Sequence, residues 1–120
     1  MSITYFNVPS ELDFLEAFGV EPQEAKPSDG FWCYMFKGED ELSLMLSFNQ
    51  HEGSIQTTLM QGDFEIFTVS HEGAENVEIV STVDGELQLL GACNCRGETI
   101  NLVIGFSPKL YIHWSSLKSE

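Results

Sequence analysis

Basic residues are scarce in this sequence. Only 5 of its 120 residues are Lys or Arg, against 19 that are Asp or Glu, and the formal net charge at pH 7 is -14. The five cations are scattered rather than clustered, at Lys26, Lys37, Arg96, Lys109 and Lys118. Nucleic-acid binding requires Lys and Arg that displace phosphate counterions, and adsorption to an anionic membrane requires the same residues. The composition therefore argues against both as direct functions.

Long apolar runs are missing as well. No stretch approaches the roughly 20 apolar residues that a membrane-spanning helix needs, and the start, MSITYFNVPSELD, lacks a basic leader followed by an apolar run. The three cysteines, Cys33, Cys93 and Cys95, form an odd set, for which reduced thiols are the expectation. We expect a cytoplasmic protein without disulfides.

The motifs of self-contained enzymes are also absent. The sequence has no Walker-type or dinucleotide-type phosphate-binding loop, no G-x-S-x-G nucleophile elbow and no zinc-binding His-Glu-x-x-His. Carboxylates are so abundant that any two of them could face each other, which makes them uninformative for glycoside chemistry. We expect no enzyme activity, no catalytic residue and no cofactor.

Two thiol arrangements could still carry chemistry. Cys93 and Cys95 share one face of a predicted strand, as joint metal binding would require, but structural zinc sites take four ligands and usually Cys-x-x-Cys spacing. Free cysteines are ordinary core residues, and that interpretation is favoured. A catalytic pair of Cys33 with His113 is disfavoured, because both residues lie in predicted strands rather than in an exposed loop. No metal site is predicted.

One short helix is predicted over residues 9–19. Ser10 is a suitable N-cap, acidic residues follow in the first turn, and Gly19 is a suitable end. The apolar stripe expected to cover one edge or face of a sheet consists of Leu12, Leu15 and Phe18. Residues 20–30 are rich in proline and glycine and are predicted to form a loop.

After Gly30, apolar residues alternate with polar ones, as in strands with one buried face. Short glycine-containing turns separate these strands, which indicates antiparallel hairpins, because parallel strands need crossovers of a dozen residues or more. Residues 31–36 are apolar on both faces, so their strand is expected to be central or covered by the helix. About eight strands are counted here, with a further candidate at residues 3–8.

The predicted fold is therefore mainly β, with all of residues 1–120 in a single domain. We expect an antiparallel meander of about eight strands with one short N-terminal helix. A twisted meander of this size forms a curled sheet, a sandwich or a barrel, and we retain all three as alternatives.

Acidic residues concentrate in and near the predicted turns. Solubility and protection of sheet edges explain many of them, but ordinary soluble surfaces intersperse lysine. We therefore predict a surface for a cationic partner, whose approach a negative field accelerates. The predicted contact residues are Glu39, Asp40, Glu41, Asp63, Glu65, His71, Glu72, Glu75 and Glu78.

A repeated tripeptide contributes to this set. His51-Glu52-Gly53 recurs as His71-Glu72-Gly73, each copy directly after a predicted strand. Glycine supplies the positive φ that tight turns need, so a turn is favoured over a metal or catalytic site. Both turns are expected at the same end of the sheet, where their His and Glu side chains would form a rim.

The chain resembles immunity proteins of bacterial contact-dependent growth inhibition and related polymorphic toxin systems. The resemblance lies in its size, its acidity and the run GSIQTTLMQGDFEIFTVSHEGAENVEIV followed by a closing LYIHWSSL strand. It implies a cytoplasmic monomer that binds one cognate toxin domain, often a basic nuclease, in a 1:1 complex. Aromatic anchors would add specificity to the electrostatic attraction. The candidate anchors are Trp32, Tyr34, Phe67, Tyr111 and Trp114.

Two other functions stay open from the sequence. An acidic secretion chaperone or adaptor would also be small and cytoplasmic, and it would dimerise and bind an extended segment. A small-ligand carrier built on a β-barrel would need a buried polar pocket.

Overall fold

The structure, a computed structural model, describes residues 6–118. Within them, one helix and nine strands follow one another along the chain. Their bounds are α1 Glu11–Phe18, β1 Glu24–Lys26, β2 Phe31–Lys37, β3 Leu42–Asn49, β4 Ser54–Gln61, β5 Phe64–Glu72, β6 Ala74–Ser81, β7 Leu87–Cys95, β8 Glu98–Gly105 and β9 Tyr111–Lys118. In the described part of the chain, no helix is long and apolar enough to cross a membrane.

The strands form two antiparallel sheets in chain order. The first sheet has the order β1-β2-β3-β4-β5, and the second has the order β6-β7-β8-β9. Within each sheet every strand pairs with the next through a short turn, while β5 and β6 are consecutive strands of different sheets. The predicted antiparallel meander is confirmed, as is the count of eight strands after Gly30. Both sheets keep free edges, and they do not close into a barrel within residues 6–118.

The region before β2 differs from the prediction. Residues 20–30 are not entirely a loop, because β1 pairs with β2 and a 3-10 turn spans Pro27–Asp29. A strand of three residues is too short to show an alternating pattern. Of the candidate strand at residues 3–8, residues 3–5 lie outside the described residues, and Asn7 makes a single parallel bridge to Asn76 of β6.

The core lies between the two sheets and under the helix. The side chains on the inner faces are large and apolar, with one buried threonine among them, because alternate residues of each strand point to the same side. The fully buried ones include Tyr34, Leu44, Leu46, Phe48, Ile55, Thr57, Leu89, Cys93, Leu102 and Ile104. Gly91 lies where the sheets meet, since a Cβ there would be in van der Waals contact with Cδ1 of Ile55 at 3.4 Å.

Helix α1 covers one side of this core. Its capping is as predicted: Ser10 and Asp13 form a capping box, and Gly19 ends the helix at φ 68°. The buried face of the helix differs from the predicted apolar stripe, because Phe14 is fully buried while Leu12 and Leu15 are 60% and 44% exposed.

The aromatic rings of the helix pack on β2. The ring of Phe14 stacks on Tyr34 with centroids 3.8 Å apart, and Phe18 lies against Phe36 at 5.4 Å. Phenylalanine buries a large apolar area, so this pair one turn apart takes the inward face in place of the leucines. The prediction for β2 is confirmed, because it lies between β1 and β3 and is covered by α1.

Candidate protein-binding surface

Five of the predicted acidic residues meet at one end of the first sheet. The β2–β3 turn contacts the β4–β5 turn, where the amide of Gly62 donates to the carbonyl oxygen of Glu41 at 2.9 Å. The side-chain amide of Gln61 donates to the carbonyl oxygen of Asp40. These bonds hold the two turns side by side. We name this surface the acidic corner, and it consists of Glu39, Asp40, Glu41, Asp63 and Glu65.

Few positive side chains lie near the acidic corner. All five side chains are exposed, and among the side chains of residues 6–116 the only ion pair joins Lys26 to Glu24 at 3.6 Å. Lys109 borders Glu39 and Asp40 in a shallow groove, and Lys37 ends β2 at the same end of the sheet. Five carboxylates against two ammonium groups leave a local excess of negative charge.

Two exposed apolar side chains lie beside these carboxylates. Phe64 is 71% exposed and Ile66 is 46% exposed, and both belong to β5, an edge strand of the first sheet. The register shifts here, since Leu59 pairs with Phe67 whereas Met60 pairs with Glu65, so Ile66 is an extra residue in a β-bulge. Bulges redirect side chains at sheet edges. An exposed aromatic ring next to charged groups is typical of a protein-binding surface.

The sequence analysis missed Phe64 and Ile66 as contact residues. It selected Phe67 instead, which is only half-exposed and sits opposite Leu59. The available signal was the pair Ile66-Phe67, two consecutive apolar residues that break the alternation of the strand. Such a break is what a bulge produces.

The other four predicted contact residues lie elsewhere. Glu65 and Glu72 are seven positions apart along β5, which corresponds to about 23 Å of extended chain. His71, Glu72 and Glu75 therefore lie at the opposite end of the sheets from the acidic corner. Glu78 is on β6, where it borders a groove beside α1. The predicted set does not form one continuous surface.

The two His-Glu-Gly copies lie at the same end of the sheet, as predicted, but only the first is a turn: His71 and Glu72 are the last residues of β5, and Gly73 alone lies between β5 and β6. The amide of Ala74 donates to the carbonyl oxygen of Gly53 at 2.9 Å, which joins the β5–β6 connection to the β3–β4 turn. The imidazoles have different neighbours, however. His51 lies over Gly30, whose Cβ would be 2.9 Å from its ring, whereas the ring of His71 packs on Trp114 at 4.9 Å.

The candidate aromatic anchors are mostly engaged within the fold. Tyr34 is fully buried, so it does not reach the surface and the prediction for it is wrong. The indole of Trp32 donates to Oε2 of Glu11 at 3.1 Å, and that of Trp114 donates to Oγ1 of Thr57 at 2.9 Å. Tyr111 is 41% exposed.

Tyr111 is partly exposed and also makes contacts within the fold. Its ring lies against Gly105, and its hydroxyl accepts a hydrogen bond from Nε2 of Gln88 at 2.7 Å. A side chain on Gly105 would displace the ring, so this glycine makes the ring position possible. Tyr111 therefore stays a candidate contact on the outer face of the second sheet.

The fold places Cys33 in one sheet and Cys93 and Cys95 in the other. Cys93 is buried in the core, and burial raises its pKa to about 11, with Glu75 and Cys95 as further causes. Cys95 is exposed at the end of β7. Burial and then Glu24 raise the pKa of Cys33 on β2, while His113 is exposed on β9 of the other sheet. Within the described ranges, no three His, Cys, Asp or Glu side chains gather as metal ligands.

These features define a two-sheet β protein with an acidic and partly apolar candidate binding surface. No family model matches the chain, and no curated protein matches it. It is similar to a chain of the contact-dependent growth inhibition toxin–immunity protein complex from Klebsiella pneumoniae 342. The match has a TM-score of 0.83 and 25% sequence identity, and it covers 96% of this chain and 100% of that chain. The resemblance to immunity proteins of contact-dependent growth inhibition systems is thereby confirmed.

Proposed function

We propose that this chain is an immunity protein that binds one cognate toxin domain and neutralises it without catalysing a reaction. The observation that carries the proposal is the similarity, over 96% of the chain, to a chain of a toxin–immunity complex. The proposal includes a cytoplasmic location and a 1:1 complex formed by a monomer. Binding rather than chemistry is also what an exposed surface of carboxylates and apolar side chains can supply.

The proposed partner is a basic nuclease domain. A nuclease carries Lys and Arg to hold phosphates, so its substrate-binding surface is positive. The net charge of -14 would attract such a surface, and complementary fields raise association rates roughly 10- to 1,000-fold at low salt. Fast capture suits an antidote, because free toxin does damage until it is bound.

The proposed contact surface is the acidic corner together with Phe64 and Ile66. Charge alone gives orientation and speed, while tight binding comes from a few desolvated side chains near the centre of the interface. Phe64 is the best-placed such side chain, because it is 71% exposed and stands on an edge strand next to Asp63 and Glu65. Glu72 and Glu75 would contribute to the negative field from the opposite end of the sheets, where His71 would be an uncharged contact.

Two alternative functions, a small-ligand carrier and a chaperone or adaptor, are compared with the structure. The space between the sheets is filled by buried side chains such as Tyr34, Leu46 and Leu102, so a carrier that holds a ligand inside a barrel has no support. A chaperone or adaptor would be a dimer, whereas the immunity function proposed here expects a monomer. Light scattering on the purified chain separates these two.

The direct test is protection from the toxin. The toxin domain encoded by the gene immediately upstream is expressed in a susceptible bacterium, with this chain or with an immunity protein of a different toxin as the control. Only this chain should restore growth, and the purified proteins should form a 1:1 complex by light scattering. Continued growth arrest, together with the absence of a complex, would contradict the proposal.

A further inference from the structure

A groove runs between α1 and the edge strand β6. Its volume is about 540 Å³. Its apolar lining comes from the segment before the helix, from Ala17 and from β6, and the full apolar set is Val8, Pro9, Ala17, Val77 and Ile79. Three carboxylates border it, those of Asp13, Glu16 and Glu78. The groove lies outside the acidic corner and belongs to the other sheet.

One wall of this groove is an incompletely paired strand edge. The amide of Asn7 donates to the carbonyl oxygen of Glu75 at 3.2 Å, and the amide of Val77 donates to the carbonyl oxygen of Asn7 at 2.8 Å. The chain then leaves β6 at Pro9 and enters the helix. The first half of the β6 edge is thus covered by Asn7, and the second half has no neighbouring strand among the described strands.

The uncovered backbone groups face the side of β6 on which Asn7 lies. Backbone groups of alternate residues face the same side of a strand. Because the amide of Val77 points away from β7 and towards Asn7, the backbone groups of Ile79 and Ser81 point away from β7 as well. Sheet edges normally carry some device against pairing with another chain. Here Asn7 covers only the beginning of the strand.

We propose that this groove receives an extended segment of the toxin, which adds a strand to β6. This inference rests on the proposed function and extends it to a second contact region. The segment would pair its backbone with Ile79, place apolar side chains against Ala17 and Ile79, and place Lys or Arg side chains beside Glu16 and Glu78. Strand addition of this kind takes its affinity from backbone bonds and its specificity from alternate side chains.

The charge of the groove favours a basic partner over a second copy of this chain. Two copies would each bring a net charge of -14, and a self-complementary contact would place Glu16 and Glu78 near the same carboxylates of the partner. Like charges opposed across an interface are unfavourable. A segment rich in Lys or Arg instead neutralises the border of the groove while its apolar residues fill it.

Hydrogen exchange at single amides tests this strand addition. The ¹⁵N-labelled chain is measured alone and in complex with the toxin domain encoded by the gene immediately upstream. We expect the amides of Ile79 and Ser81 to exchange at least about 100-fold more slowly in the complex, because a new partner strand would accept their hydrogen bonds. A complex that forms while both amides keep their free exchange rates would overturn the inference and leave the proposed function intact.

A pair of charge-reversal variants supplies the second measurement. Glu16→Lys with Glu78→Lys places two cations at the groove, and Glu21→Lys with Asp84→Lys makes the same change in net charge at exposed sites away from it. The groove variant should bind the toxin roughly 100-fold more weakly, and the control variant should change affinity far less. Equal losses would assign the effect to overall charge and overturn the inference. Absence of any complex with the unaltered chain would contradict the proposed function itself.

Discussion

The indole Nε1 of Trp114 donates a hydrogen bond to Oγ1 of Thr57 across 2.9 Å, and this bond joins β9 of one sheet to β4 of the other. Thr57 is fully buried, so its hydroxyl depends on a partner inside the protein. A buried polar group without a partner loses its hydration and gains nothing in return. The pair therefore fixes how the two sheets face each other on the side where β4 and β9 meet.

Removing the indole donor should destabilise the fold. Trp114→Phe leaves the hydroxyl of Thr57 buried and unpaired, and we expect the free energy of unfolding to fall by about 1–3 kcal/mol. Urea unfolding followed by fluorescence or circular dichroism measures the change. Thr57→Val alone and the double variant complete a cycle, in which the two losses should be less than additive. Strict additivity would show that the hydrogen bond contributes nothing to stability.

The two faces of α1 should respond very differently to truncation. Phe14→Ala removes a fully buried ring that stacks on Tyr34, and we expect a loss of about 3–5 kcal/mol in the free energy of unfolding. Leu12→Ala removes a side chain that is 60% exposed, and the expected change is within about 0.5 kcal/mol. Thermal unfolding of both variants, compared under one condition, is the measurement. Similar losses for both would contradict the packing described here.

The sequence predicts those parts of the fold that depend on residues close together along the chain. Ser10 and Asp13 cap the helix through bonds spanning three residues, and Gly19 ends it, so the helix limits could be predicted. The hairpins likewise follow from the alternation and from the glycine-containing turns, as at Gly62 between β4 and β5.

Features set by distant contacts could not be predicted in the same way. Whether Phe14 or Leu12 faces inward depends on Tyr34, about twenty residues away, and an eight-residue helix offers more than one apolar stripe. The predicted acidic set divides between two ends of the sheets because Glu65 and Glu72 lie near opposite ends of the extended strand β5. The bulge at Ile66 leaves only the consecutive apolar pair Ile66-Phe67 as a mark in the sequence, and the pairing of β4 with β5 is what identifies it.

Stability should fall at alkaline pH because two buried groups resist ionisation. Burial raises the pKa of Cys93 from 9.0 to about 11 and, with Glu11 as a further cause, that of Tyr34 from 10.0 to about 12. Above pH 9 the unfolded chain therefore releases protons that the folded chain retains. This contribution to stability is complete below pH 9 and is lost as the pH rises through 11 and then 12.

The urea midpoint measured from pH 8 upward should show this decline. Cys93→Ala should make the decline shallower from pH 9, and Tyr34→Phe should make it shallower from pH 10, because each removes one ionising group. The matched control is Cys95→Ala, since Cys95 is exposed at the end of the same strand. A decline unchanged by Cys93→Ala and Tyr34→Phe would assign it to other groups.

Phe64 should be a centre of binding energy for the toxin. Phe64→Ala is expected to weaken the complex by roughly 30-fold or more, as for an aromatic anchor that enters a pocket of the partner. The melting temperature of the free chain should change little, because this ring is 71% exposed. Val83→Ala is the control, since Val83 is a fully exposed apolar residue in the β6–β7 turn. Calorimetric titration gives both affinities, and equal values for the two variants would exclude Phe64 as an anchor.

The acidic corner should act on the rate of association more than on dissociation. Neutralising it with Glu41→Gln, Asp63→Asn and Glu65→Gln weakens the local field while keeping the size of each side chain. We expect association of this variant with the toxin domain to be about 10-fold slower than that of the unaltered chain at low salt. The difference should vanish near 1 M salt, because the Debye screening length there is only about 3 Å. Stopped-flow mixing over a salt series measures this. The control, Glu21→Gln with Asp29→Asn and Asp84→Asn, removes three charges elsewhere on the surface and should slow association less. If the control slowed it equally, the total charge rather than the corner would guide the encounter.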